Sequence, residues 1–341
     1  RQHRALICAA LANSSSTILL SRTSKDINAT MDSLRGLGAH VVYENKVVTV
    51  TPGPVPTKGN VVPHESGTTL RLLLPVAASI CNEVDVDAKG RLPDRPLEPM
   101  LGEMKAHGVT FSRDKPPFTM TGRLQGGEFG MVGDVSSQFF SGLLLAAPQC
   151  GGATITSTTP LQSSDYVTLT TTTMADFGVT VDHTPASGTV QESFAVAANA
   201  TFKGQSNYQI EGDWSNTAIW MVAAGMTGKQ ITITGMNKNS VQADRRIMQI
   251  MIDAGCDVVW DGMNVTVTGR AVKPIHADLE QMPDMLPVMA ALACSIQGES
   301  SFVKGARLRL KESDRLEAVA NLVRDLGGTI REEGDDLYII G

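Results

Sequence analysis

Five times along the chain an apolar helical pattern runs into a glycine and is followed by a β-rich stretch. The copies read LRGLGAHV at Gly38, MKAHGVTF at Gly108, MADFGVTV at Gly178, MIDAGCDV at Gly255 and VRDLGGTI at Gly327. They recur at a period of about 70 residues, the signature of a repeat architecture. Glycine after the last helical turn supplies the left-handed cap that other residues resist. A second marker lies upstream of each: an apolar helix, a short polar turn and a β-rich run. Its copies are ALICAALANSSSTILLS, LLLPVAASICNEVDVD, GLLLAAPQCGGATITS, WMVAAGMTGKQITITG and MAALACSIQGESSFVKG. Each unit therefore reads strand, helix, strand, helix, strand, strand. Such a unit cannot bury both faces alone, so units must pack together. Three units per domain predict an α/β protein of two domains. Residues 1–206 carry three repeats, and 207–341 carry two of three. The count of five predicts a chain that lacks material after Ile340 and some before Arg1.

Composition narrows the function classes. With 341 residues, 42% hydrophobic and 19% charged, the chain has ample core for two domains. A net charge of −6 and a pI near 5.6 argue against a nucleic-acid partner, which would want a broad basic face. The five cysteines are widely spaced and form no CxxC pair, which fits reduced thiols in the cytoplasm better than a disulfide framework. The histidines show no paired ligand spacing, so neither a metal nor a cofactor is expected. No apolar run reaches about 18 residues, so no membrane helix is expected. The N-terminal RQHRALICAALANSSS has the outline of a weak signal peptide. It is better read as the first copy of the second marker.

Polar residues concentrate at helix starts. First helices of the units open with HRAL (His3, Arg4), ESGTTLR (Glu65 to Arg71), SSQFF (Ser136, Ser137, Gln138), DWSNT (Asp213 to Thr217) and MPDML (Asp284). Second helices open with SKDI (Ser24 to Asp26), DRPL (Asp94, Arg95), SSDY (Ser163 to Tyr166), QADRR (Asp244, Arg245) and KESDR (Lys311 to Arg315). Most of the Ser, Thr and Asp residues are expected to act as N-caps, worth about 1 kcal/mol each. Arginine is different, because it opposes the helix dipole by roughly 0.3–1 kcal/mol. Arg4, Arg71, Arg95 and Arg315 recur in equivalent places, which points to an anion in front of them. Lys311 joins this set, and Arg309 is a further candidate. Two carboxylates in such an anion-binding cleft, Asp284 and Glu312, suggest general acid–base work.

The motifs LKESDRL, ESGTTLR, GDVSSQFFSGLLLAAP, DRPL, EGDWSN and MPDMLPVMAALA resemble, in order and spacing, those of the EPSP synthase (3-phosphoshikimate 1-carboxyvinyltransferase) family of enolpyruvyl transferases. The resemblance runs over nearly the whole chain. It implies a two-domain inside-out α/β barrel built from βαβαββ repeats, five of six of them visible here. It implies transfer of the enolpyruvyl group of phosphoenolpyruvate to the 5-hydroxyl of 3-phosphoshikimate, with release of phosphate. By the same resemblance Asp284 is the base toward the 5-hydroxyl, Glu312 the acid at the methylene, and Lys311 a contact to the shikimate hydroxyls. Arg95 and Arg315 look like the clamp on phosphoenolpyruvate, with Gly67, Thr68, Arg71 and Gln138. Arg4, Ser136, Ser137, Gln138, Ser163 and Tyr166 look like the 3-phosphoshikimate pocket. The expected partners are these two small molecules, with no cofactor, nucleic acid or membrane, and the chain is expected as a cytoplasmic monomer.

The chain departs from the family pattern in three places. No Lys-Ser pair precedes HRAL, the Asp-His-Arg-Met motif of a final unit is missing, and Arg307 stands where many members carry a small polar residue. Lys311 and Arg315 flank Glu312 and favour its ionised form, so proton donation needs desolvation or the ligand's own negative charge. A related transferase acting on UDP-N-acetylglucosamine uses a reactive loop cysteine, and no cysteine here has an exposed, basic setting. A truncated chain that binds 3-phosphoshikimate without turnover is the alternative. A mere repeat scaffold gives no reason for arginines at helix starts.

Overall fold

The computed structural model describes residues 1–311 and 313–341. They form two compact units, Arg1–Ile210 and Glu211–Gly341. The first opens with α1 (Gln2–Ala10), β1 (Ser16–Leu19), α2 (Lys25–Gly36), β2 (His40–Glu44) and β3 (Val47–Thr51). A second repeat follows as β4 (Gly59–His64), α3 (Gly67–Ile80), β5 (Glu83–Ala88), α4 (Met100–Ala106), β6 (Thr110–Phe111) and β7 (Phe118–Thr121). The third is β8 (Gly127–Met131), α5 (Ser137–Ala146), β9 (Ala153–Ser157), α6 (Ser164–Asp176), β10 (Asp182–Thr184) and β11 (Ser193–Val196). A two-residue strand, β12 (Tyr208–Gln209), ends the unit.

In the second and third repeats the strand order is first, second, fourth, third, with the first two parallel and the rest antiparallel. The first repeat obeys the same rule only because β12 takes the first-strand place. It runs parallel to β1, with Ile18 opposite Tyr208. The chain therefore leaves the first unit after 210, once β12 has been laid down. The supposed leader, α1, is a core helix: Leu6, Ile7 and Cys8 are at most 1% exposed.

The second unit comprises α7 (Trp214–Thr227), β13 (Ile231–Ile233), α8 (Ile247–Asp253), β14 (Asp257–Asp261) and β15 (Asn264–Thr268). It continues with β16 (His276–Asp278), α9 (Leu286–Ala293), β17 (Glu299–Val303), α10 (Arg315–Asp325), β18 (Thr329–Glu333) and β19 (Asp336–Ile340). The last repeat again has the order β16-β17-β19-β18. The five marker glycines all sit at left-handed φ, between +83° and +105°. The 70-residue rhythm of the sequence is thus a rhythm of helix ends.

Apolar helices form the middle of each unit. In the first, α3 and α5 meet so closely that a Cβ on Gly142 would lie 2.4 Å from the carbonyl oxygen of Arg71. Pro75, four residues on in α3, has no N–H to offer that carbonyl. Glycine at 142 lets α5 lie against this stretch of α3, and Gln138, one turn earlier, lands beside Arg71.

Candidate functional site

The start of α3 gathers five of the expected residues. Gly67 is its first residue, capped by Ser66, whose hydroxyl accepts from Thr69 N at 3.2 Å. A Cβ on Gly67 would lie 2.6 Å from Arg95 Nη1 and 3.2 Å from Arg71 Nη1, so both guanidinium groups reach this helix start. Arg71 is 4% exposed. It donates to Gln138 Oε1 at 3.3 Å and to the Pro96 carbonyl at 3.3 Å. Gln138 Nε2 donates to Thr68 Oγ1 at 2.9 Å. Two guanidinium groups at a helix N-terminus make a place for an anion.

The helix-start reading of the arginines needs correction. Arg95 does not begin a helix. It follows a 3₁₀ turn, Leu92–Asp94, in extended backbone, and α4 starts only at Met100. Arg71 lies in the second turn of α3. Only Arg4 and Arg315 stand in first turns. The arginines converge through tertiary placement, because the loop before α4 passes the start of α3.

A polar chain unforeseen from the sequence supports this corner. His3 Nδ1 lies 2.7 Å from Thr30 Oγ1, which lies 2.7 Å from Thr69 Oγ1, which in turn donates to Ser66 Oγ at 2.9 Å. Burial lowers the His3 imidazole to about 3, so it is neutral. The chain ties α1 and α2 to the cap of α3. Threonine within a helix gives no sequence signal for such a role.

Arg4, Ser136, Ser137, Ser163 and Tyr166 lie on α1, α5 and α6 or at their starts. Arg4 is 3% exposed and donates from Nε to Thr170 Oγ1 at 2.6 Å and from Nη2 to the Tyr166 carbonyl at 3.1 Å. Ser136 caps α5 through Gln138 N at 3.3 Å. Ser163 precedes α6 without capping it, and its φ of 54° is left-handed. That strain at a non-glycine residue, of order 1–3 kcal/mol, is the kind retained where a side chain is needed.

In the second unit Asp284 sits in a 3₁₀ turn, Pro283–Met285, ahead of α9. Its Oδ1 accepts from Arg315 Nη1 and lies 3.7 Å from Lys311 Nζ. Asp284, Lys311 and Arg315 are thus one cluster. Arg315 is the first residue of α10, whose cap is Asp314. Arg309 is committed elsewhere. It donates to Asp314 Oδ2 and Asp335 Oδ1, both at 2.8 Å, and to the Gly334 carbonyl at 2.9 Å, so it fastens the β18–β19 turn to the start of α10. Arg307 lies in the 3₁₀ turn Ala306–Leu310. Glu312 lies outside the described residues.

Behind this cluster is a buried carboxylate. Asp244, 3% exposed, accepts from Ser215 Oγ at the start of α7, and its Oδ1 has no hydrogen bond among the described residues. Burial, reinforced by Asp284 and Asp213, pushes it up to about 6. The folded state therefore binds this proton more tightly than the unfolded chain, and stability falls as pH rises from about 4 to about 6. Asp244→Asn is expected to remove that slope and to stabilise the protein at pH 7 by about 3 kcal/mol, at about 1.4 kcal/mol per unit. Urea unfolding at pH 4 and pH 7 measures it. An unchanged pH dependence in the variant would contradict the assignment.

Burial raises all five thiols, Cys150 to about 11, so none is activated as a nucleophile. Among the described residues no group of three or more His, Cys, Asp or Glu is arranged to hold a metal, and no helix is long and apolar enough to cross a membrane.

The family model for EPSP synthase (3-phosphoshikimate 1-carboxyvinyltransferase) matches residues 2–341. A 3-phosphoshikimate 1-carboxyvinyltransferase of Clostridium kluyveri is 37% identical over 344 residues, covering 99% of this chain and 79% of the relative. One from Methanocorpusculum labreanum is 34% identical, covering 99% and 80%. The structure of EPSP synthase from Acinetobacter baumannii superposes with a TM-score of 0.77 at 21% identity, over 100% of this chain and 79% of that one, and shares the fold. The chain belongs to the EPSP synthase (3-phosphoshikimate 1-carboxyvinyltransferase) family.

Proposed function

We propose that the chain transfers the enolpyruvyl group of phosphoenolpyruvate to the 5-hydroxyl of 3-phosphoshikimate, releasing phosphate, and that the two units divide the work. The first holds anionic groups. Arg71 and Arg95 at the start of α3, with Gly67, Thr68 and Gln138, take phosphoenolpyruvate. Arg4, Ser136, Ser137, Gln138, Ser163 and Tyr166 take 3-phosphoshikimate. The second unit moves protons. Glu312 protonates the methylene carbon, making C2 electrophilic. The 5-hydroxyl oxygen bonds to C2 as Asp284 takes its proton, with Lys311 on the sugar hydroxyls and Arg315 on phosphoenolpyruvate. The tetrahedral intermediate then breaks its C2–phosphate bond and returns the added proton. The observation that carries this reading is the convergence of Arg71 and Arg95 on a helix start that lacks a side chain at Gly67.

Calorimetric titration of the full chain with 3-phosphoshikimate, followed by phosphate-release assays with both substrates, tests it. Saturable binding and release that requires both substrates are expected. A folded chain that binds no 3-phosphoshikimate would overturn the assignment of the first unit. Ser163→Gly adds a sharper expectation. Glycine relieves the left-handed strain, so stability should rise by about 1 kcal/mol. Loss of the hydroxyl from a charged ligand should weaken 3-phosphoshikimate by roughly 1.5–3 kcal/mol. A variant that gains stability and keeps its affinity would take Ser163 out of the pocket.

A further inference from the structure

We propose that Asp244 is a positioning residue of the reaction, its charge acting on Asp284 across the shared Lys311 to set how readily Asp284 accepts a proton. The inference rests on the reading of Asp284 as the base. Three elements bring charge to Asp244: Asp213 from the cap of α7, Asp284 from the turn before α9, and Lys311 from the segment before α10. On its own turn, Arg245 is held by the Lys238 carbonyl at 2.7 Å. The single described hydrogen bond to the carboxylate is that of Ser215. A carboxylate buried with one oxygen bare is costly, and an asparagine would cap or pack here at less cost.

Two carboxylates near one ammonium titrate as a system. While Asp244 is protonated, Lys311 serves Asp284 alone. Once Asp244 ionises, the ammonium is shared between two anions and a second negative charge faces Asp284. Asp284 then becomes the stronger base, at the pH where it must take a proton from a hydroxyl. The carboxylate also lies behind the cluster rather than in it, so it can act without touching substrate.

Carboxyl ¹³C NMR titration of aspartate-labelled full chain tests the coupling directly. The Asp284 resonance is identified by its loss in Asp284→Asn. In the unsubstituted protein it should carry a second inflection near 6, where Asp244 titrates. In Asp244→Asn that inflection should vanish and the main midpoint should fall by about half a pH unit. In Ser215→Ala the inflection should move to higher pH, because the hydroxyl that favours the charged form is gone. The acid limb of kcat should follow each shift, with KM for both substrates unchanged. A merely structural Asp244 would not give shifts of opposite sign in the two variants. An Asp284 titration that is the same in all folded variants overturns the proposal. If Asp244→Asn does not fold, Ser215→Ala decides alone, since it leaves the carboxylate in place. Failure of the underlying reading shows separately, as an undiminished kcat in Asp284→Asn.

Discussion

Asp284→Asn lowers kcat by about 10²–10⁴-fold, the usual contribution of a general base, without raising KM for phosphoenolpyruvate. The asymmetry follows from the ion pairs. Asp284 accepts from Arg315 and stands 3.7 Å from Lys311. Its carboxylate competes with an anionic ligand for both cations. Asparagine keeps the shape, loses the base and removes the competitor. Steady-state kinetics with each substrate varied measures both effects. A kcat within about threefold of the parent chain would exclude Asp284 as the base, because a positioned base contributes far more. A large rise in KM with kcat intact would make it a binding residue instead.

Arg95→Ala weakens phosphoenolpyruvate by about 10- to 100-fold and leaves 3-phosphoshikimate within a few-fold. A lost charge-assisted bond costs roughly 1.5–3 kcal/mol, and Arg71 remains to hold part of the anion. Gly67→Ala should act in the same direction but less. The new Cβ would meet Arg95 Nη1 at 2.6 Å, which is the mobile end of a long side chain and can move away. Separate calorimetric titrations of the two ligands decide the matter. Equal losses for both would mean that Arg95 supports the unit as a whole and not one ligand.

The sequence carried the repeat plainly, because each marker glycine needs a backbone conformation that few other residues adopt. It carried the residues around Gly67 and Asp284 through motifs whose order and spacing few other chains share. Long-range choices were not legible. Arg309 looks like a ligand cation beside Lys311 and Arg315, yet its carboxylate partner Asp335 lies on the far side of α10 and β18. A string of letters cannot choose between an anion on a ligand and one on the protein. Asp244 reads as one more cap among ten helix starts, and only burial sets it apart. Arg95 reads as a helix start because proline and aspartate around it imitate one. Strand β12 is two residues long and has no periodicity of its own. Its existence depends on β1, far upstream.

That last pairing bears on how the protein is made. Ile18 lies opposite Tyr208, Arg1 Nε donates to the Tyr208 hydroxyl, and Arg1 and Tyr208 both bond Asp176 Oδ2. The first sheet to leave the ribosome is thus the last in its unit to be finished. At about 5–20 residues per second, β1 waits roughly 10–40 s for its edge partner. During that wait an apolar strand edge and the helices beside it stand open to other chains. Nascent chains halted before residue 208 should be the species that a holding chaperone captures, and passage of β12 out of the exit tunnel should release them.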